Sequence, residues 1–333
     1  MKRRAENPMV PKAEFTSYYG QPVLNQPVWE SRDIAGYLFL GGLAGGSSLL
    51  GAGAHLTGRP VLGAVAKTGA AAAAGLSLAA LVHDLGRPER FLHMLRVFKV
   101  TSPMSVGSWL LSAYGPTAGA AAVTALTGRL PRIGALATGS AALLGPAVAA
   151  YTAALISDTA VPSWHDGYRE MPFVFTGSGA MAAGGLGLLG TSVLGAPGES
   201  APARNLALLG AGLETAALEH LERGIGLSAE PYSKGRAGKY VKAGKILAAA
   251  GSAGALIGTL PGGIVPDGLV PDGVRRVVTA ASGAALVAAS AATRWGIFHA
   301  GLASAADPKY TVVPQRERLA ERAHPERAPS GQG

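Results

Sequence analysis

The sequence predicts an all-α integral membrane protein with eight transmembrane helices and an interfacial helix in the 84–103 loop. Three observations predict it. Apolar runs of about 20 residues, the length that crosses a hydrocarbon core as helix, recur along almost the whole chain. Only 15% of the 333 residues are charged, against about 25% in a soluble domain. The 48 glycines suit helices that approach one another closely in lipid. Backbone facing hydrocarbon must satisfy its own hydrogen bonds, which leaves helices or a closed barrel, and runs of this length select helices.

Residues 1–31 are polar and proline-bearing and read as an extended arm. The opening MKRRAENPMVPKAEF is basic, but no apolar segment follows at once, so no cleavable signal peptide is read there. The membrane domain is 32–301, with spans near 34–56, 61–83, 104–127, 133–156, 172–194, 203–223, 239–260 and 275–299. Residues 302–333 read as a polar, mostly irregular tail.

The first span, GYLFLGGLAGGSSLLGAGAHL, pairs Gly41 with Gly45 and Gly42 with Gly46 at the spacing of close helix packing. A phosphate-cradling loop is excluded, because no strand precedes these glycines and no Lys-Ser/Thr follows. The second span runs into HDLGRPERFLHMLRVFKVTSPMSVGSW, residues 83–109, the densest polar segment of the chain. Helical spacing there sets Arg87, Arg90 and Lys99 along one side of an interfacial helix punctuated by Pro88 and Pro103. The fourth span ends in YTAALIS at 151–157, and the sixth carries ETAALEHLER at 214–223.

An even number of spans puts both termini on one side, face one. Face one also holds the 84–103, 157–171 and 224–238 loops. It collects Arg87, Arg90, Arg96, Lys99, Arg169, Arg223, Lys234, Arg236, Lys239 and Lys242. Face two has Arg59, Lys67, Arg129, Arg132, Arg204, Arg275 and Arg276. This bias places face one, with both termini, in the cytoplasm, and the chain in the inner (cytoplasmic) membrane. The net charge of +9 is read as topology and not as a nucleic-acid partner. The absence of cysteine excludes disulfides, thiolate metal sites and iron–sulfur ligation within this chain. No metal site is read.

Function must then come from the few polar residues. Glu214 lies near the middle of an apolar stretch, and a carboxylate at that depth costs about 2.5–3.5 kcal/mol on insertion scales. It is expected to be the inner stop of a proton relay entered at Glu219 or His220. Glu219 and Arg223, four apart, can also pair. Rival readings are bis-histidine haem ligation through His83, His220 and His299, a transporter, and a purely structural anchor.

The run DLGRPERF, then SPMSVGSW, resembles the NrfD/polysulfide-reductase membrane-subunit family. YLFLGGLAGG, YTAALIS with VPSWH and MPFVFTGSG, and RWGIFHAGLASAADPKYTVVPQR match in the same order, from about residue 29 to 316. The resemblance implies a quinone-binding anchor without haem or iron–sulfur cluster of its own. It implies a four-cluster iron–sulfur partner and a molybdenum or tungsten catalytic subunit. The quinone is menaquinone or ubiquinone, menaquinone suiting a low-potential donor. Formate, polysulfide, nitrite, thiosulfate and tetrathionate systems share this anchor type. Matching positions nominate Asp84, Arg87, Ser102, Trp109, Tyr151 and Trp164 as quinone contacts, with Ser105 a further donor. At the first span the family uses Asn or His, whereas this chain has Trp29, Arg32 and Asp33, with Asn25 further out.

Overall fold

The computed structural model describes residues 23–85, 87, 89–259 and 271–323. Residues 1–22, 86, 88, 260–270 and 324–333, which include most of the expected N-terminal arm and the end of the expected tail, lie outside them. Among the described residues every regular element is helical. The α-helices are α1 (Ser31–Leu56), α2 (Pro60–Asp84), α3 (Glu89–Met94), α4 (Pro103–Thr127), α5 (Pro131–Ser157) and α6 (Pro162–His165). They continue with α7 (Met171–Val193), α8 (Ala201–Gly224), α9 (Glu230–Ser233), α10 (Gly235–Thr259), α11 (Asp272–Ala306) and α12 (Lys309–Ala323).

Five of these, α1, α2, α5, α7 and α11, are long and apolar enough to cross a membrane. The helices α4, α8 and α10 are of similar length but carry more polar side chains. α8 holds Arg204, Glu214, Glu219, Glu222 and Arg223, and α10 opens on Arg236, Lys239, Lys242 and Lys245. Proline near the start of α2, α4, α5, α7 and α8 fits the first helical turn, whose N–H groups lack partners anyway. Ser102 caps α4 by accepting the Ser105 N–H.

The long helices pack as two rings of four. α1, α2, α4 and α5 close one ring; α7, α8, α10 and α11 close the other. α1 and α7 form the seam, reinforced by contacts of α5 with α7 and α1 with α11. The glycines explain the seam. A Cβ on Gly46 would lie 2.6 Å from the Gly179 carbonyl oxygen of α7, and one on Gly45 would lie 2.2 Å from that of Gly145 in α5. Lipid tails are as apolar as leucine, so dispersion between closely approaching backbones must supply the association. Leu56, Val123, Leu126, Leu136, Leu143, Leu209 and Ile257 point outward and are exposed, as lipid-facing side chains should be.

Two expectations need correction. The interfacial helix of the 84–103 loop is only α3, six residues long, so Arg87 and Lys99 fall outside it and share no helical face with Arg90. The β-branched run around Val97, Val100 and Thr101 disfavours helix. Ser105 then staples that segment, accepting from the Lys99 N–H and donating to the Val97 carbonyl, both at 3.0 Å. The tail is also not irregular throughout, since α11 continues to Ala306 and α12 follows.

Lys309, at the start of α12, reaches Glu230 of α9 at 3.1 Å, and Lys234 pairs with the same carboxylate. Lys234 and then Lys309 hold the Glu230 carboxyl below its ordinary value of 4.5. The folded-state value is depressed, so this contribution is complete above pH 4.5 and fades as pH falls through the lower, folded value. Amide exchange across 309–323 is therefore expected to quicken only below pH 4.5, and in a Lys309→Met protein to be fast at neutral pH too.

Candidate functional site

A cavity of about 510 Å³ opens where the N-terminus of α4, the C-terminus of α5, α6 and the N-terminus of α7 meet. Val100, Pro103, Val106, Ala154 and Pro172 give it apolar walls. Its polar residues are Thr101, Tyr151, Ser157, Asp158, His165 and Tyr168. Few convergent polar groups on an apolar wall is the common make-up of a small-molecule site.

Tyr151 is set by a glycine. A Cβ on Gly107 would lie 2.1 Å from Tyr151 Cε2, so the tyrosine ring lies flat on the α4 backbone at that position. Its hydroxyl makes no hydrogen bond among the described residues. His165 Nδ1 lies 3.3 Å from the Ser157 carbonyl oxygen. A carbonyl only accepts, so Nδ1 carries the proton in that bond and Nε2 of the neutral ring is left as an acceptor. Tyr168 lies beside the imidazole, ring centroids 6.4 Å apart, and its hydroxyl accepts from Arg169 Nε at 2.9 Å.

His165 stands at the end of α6, a single turn clamped from several sides. Ser163 N–H donates to Ser304 Oγ, Ser163 Oγ donates to the Ser228 carbonyl, and Tyr232 Oη donates to the Ser163 carbonyl at 2.7 Å. Ser228 Oγ in turn donates to Asp166 at 2.5 Å. Burial pushes the Tyr232 phenol upward, which keeps it a donor. Trp164 is fully buried, donates Nε1–H to the Ile297 carbonyl at 2.8 Å and stacks on Trp29 at 5.9 Å. A Cβ on Gly301 would fall 1.8 Å from its ring, so α11 is notched to receive the indole. Trp164→Ala is expected to cost about 3–5 kcal/mol, chiefly as a cavity beneath α6. Denaturant midpoints in detergent measure this.

A second polar group lies inside the bundle. Glu214 is buried, and its Oε1 accepts from Thr293 Oγ1 at 2.5 Å while Oε2 has no partner among the described residues. Ser178 and Ser290 share a hydrogen bond of 2.8 Å. Arg294, fully buried, donates Nη2–H to the Phe175 carbonyl at 2.7 Å and lies 3.6 Å over the Phe175 ring. Its Nε and Nη1 have no partner among the described residues. Pro172, Phe175 and Ser178 follow one another in three-residue steps on α7, so this group begins one turn beyond the cavity wall.

The structure brings some nominated residues together and separates others. Tyr151 lines the cavity, and Ser102 caps α4 beside the lining residues Thr101 and Pro103. Ser105 Oγ is already donating to Val97. Asp84 and Arg87 lie off the wall. Asp84 accepts from the Glu30 N–H at 3.4 Å, holding the segment that carries Trp29. Trp109 faces outward, 42% exposed, edge-on to Phe98. Trp164 lies beneath α6 and does not line the cavity. Glu219 and His220 project about 140° and 120° around α8 from Glu214 and are exposed. Their partners are Arg223 at 3.1 Å and Glu170 at 3.6 Å.

Sequence reasoning missed His165, Asp158 and Arg294. The signal for His165 was present in VPSWH, where attention went to the tryptophan. Arg294 is a lone cation within the last apolar run, the same kind of signal that singled out Glu214.

A family model described as polysulphide reductase, NrfD, matches residues 21–304. No curated relative matches the chain.

Proposed function

The chain belongs to the polysulphide reductase NrfD family, the membrane subunits of oxidoreductase complexes, and from that premise we propose that it is the quinone-reactive anchor of such a complex. In this reading all eight long helices cross the inner membrane, with both termini in the cytoplasm. A four-cluster iron–sulfur subunit docks on face one and exchanges electrons with a molybdenum or tungsten subunit. Menaquinone suits a low-potential donor such as formate.

The single observation that carries the reading is Tyr151. A phenol that bonds to no described residue stands in a mainly apolar-walled cavity that also holds an imidazole hydrogen-bonded through Nδ1. The donor set fits a quinone head, which needs a polar contact at each carbonyl and an apolar path for its tail. Bound there, a quinone would supply reversible uptake of electrons and protons. Tyr151 donates a hydrogen bond toward one carbonyl position. His165 Nε2, bare in the neutral ring, accepts the proton of a quinol hydroxyl at the other position and donates there only once the ring is protonated, with Asp158 on the same wall for exchange with water. Val100, Val106 and Pro172 give the head apolar walls.

Glu214 serves as the inner proton stop, with Ser178, Ser290 and Arg294 the groups that link it toward the cavity. Glu219 and His220 keep the role of entrance from face one only through water or partner groups, since they lie off the Glu214 face of α8. A photoreactive quinone tests the site. Labelling between Tyr151 and Pro172 that excess menaquinone displaces is the expected result. Labelling confined to other helices would overturn the assignment. Purification of the complex in mild detergent, with metal analysis, tests the partners.

A further inference from the structure

At the opposite end of the first ring, α1, α2 and α4 enclose a cavity of about 300 Å³. Its lining includes three basic side chains: His55 from the last turn of α1, Arg59 from the connecting turn, and Lys67 from α2. None of the three forms an ion pair or side-chain hydrogen bond with any described residue. Lys67 is only 8% exposed, although it stands within a helix suited to span the membrane. A cation so placed is costly without a counter-charge, and no carboxylate lines this cavity.

Geometry says where the counter-charge belongs. Lys67 stands about two turns into α2 and lines the same cavity as His55 and Arg59. The N-terminus of α2 adds the positive end of a 25-residue helix. Beside the cavity, Leu56 is 84% exposed, and on α4 Val123 and Leu126 are exposed as well. Those outward apolar side chains would face acyl chains.

We infer that this cavity binds an anionic phosphate group, held between Arg59 and Lys67 with His55 at the rim. A membrane lipid headgroup or free inorganic phosphate both present that chemistry. Arg suits it through its fork of donors and Lys as a point charge. The site lies at the other end of the helices from the Tyr151 cavity and stands whether or not that cavity takes a quinone.

The test uses the full chain in detergent, read by native mass spectrometry. The probes are phosphatidylglycerol, phosphatidylcholine with the same acyl chains, and inorganic phosphate. Phosphatidylglycerol is expected to be retained over phosphatidylcholine by about tenfold or more, and R59Q/K67M to abolish that preference. R59Q alone, at a half-exposed position that leaves the helices intact, is expected to lower it about fivefold. R132Q, on the neighbouring turn at the same end, should leave it unchanged. Retention of inorganic phosphate in place of lipid, lost in R59Q/K67M, would support the site with a soluble anion as occupant. Equal retention of both lipids without phosphate binding would overturn the proposal. So would a preference that survives R59Q/K67M, or one that R132Q removes equally.

Discussion

Tyr151→Phe is expected to lower quinone-linked turnover by about 100-fold, the lower end of what a positioned proton donor contributes. The substitution is structurally quiet. The ring stays on Gly107, and the lost hydroxyl was bonded to no described residue, so no buried partner is orphaned. Two assays on the same membranes separate the possible outcomes: reduction of a quinone analogue, and reduction of an artificial dye that takes electrons from the soluble partners. Quinone activity should fall while dye activity holds. A parallel fall in both would mean that the hydroxyl matters for assembly, and unchanged quinone activity would remove Tyr151 from the site. His165→Gln should reduce the same activity, and the double variant should lose less than the product of the two losses. Groups that act on one substrate as a unit are non-additive.

Arg294→Met is expected to cost about 3–5 kcal/mol of stability, as much as Trp164→Ala, the range for removing one partner from a buried charge arrangement. The loss has several parts. The Phe175 carbonyl loses its donor, the Phe175 ring loses the cation over its face, and Glu214 loses the cation acting on it. Glu214→Gln should be milder, because an amide oxygen can still accept from Thr293. The double variant E214Q/R294M should then recover part of the Arg294→Met loss. Denaturation midpoints of the four proteins in one detergent close the cycle. Losses that simply add would show that the two groups are not coupled, and the inner proton stop would lose its compensating charge.

The fold was legible because lipid imposes few solutions. Apolar length gave the helices, and of the glycine pairs Gly45 and Gly46 marked where α1 is approached most closely, while Gly41 makes only ordinary contacts. The two-ring layout was not legible, since helix order does not say which helices close on one another. The site was legible in part. Tyr151 was nominated by the resemblance of YTAALIS to the family's motif. His165 and Trp164 are adjacent in sequence but do different work, one lining the cavity and the other buried beneath α6. Only coordinates separate such neighbours, because a single helical turn sends consecutive side chains about 100° apart. The path from the proton entrance was hidden for the same reason: Glu219 and His220 are close to Glu214 along the chain and face away from it around α8. The 84–103 loop was overread as helix because its charges happen to recur at helical intervals, while its β-branched residues argued the other way.

The α1–α7 seam also bears on how the chain is made. α1 is synthesised before α7, yet its Gly42–Gly46 side is completed mainly by Gly179 and Ala183 of α7, with Arg294 of α11 reaching Gly42 later still. Until more than half the polypeptide has left the ribosome, that strip of bare backbone faces lipid with nothing to match it. A nascent chain arrested after Ser157 would hold four long helices and an open flank, a form suited to capture by a membrane chaperone or to a wrong partner helix. The arrival of α7 ends most of that exposure.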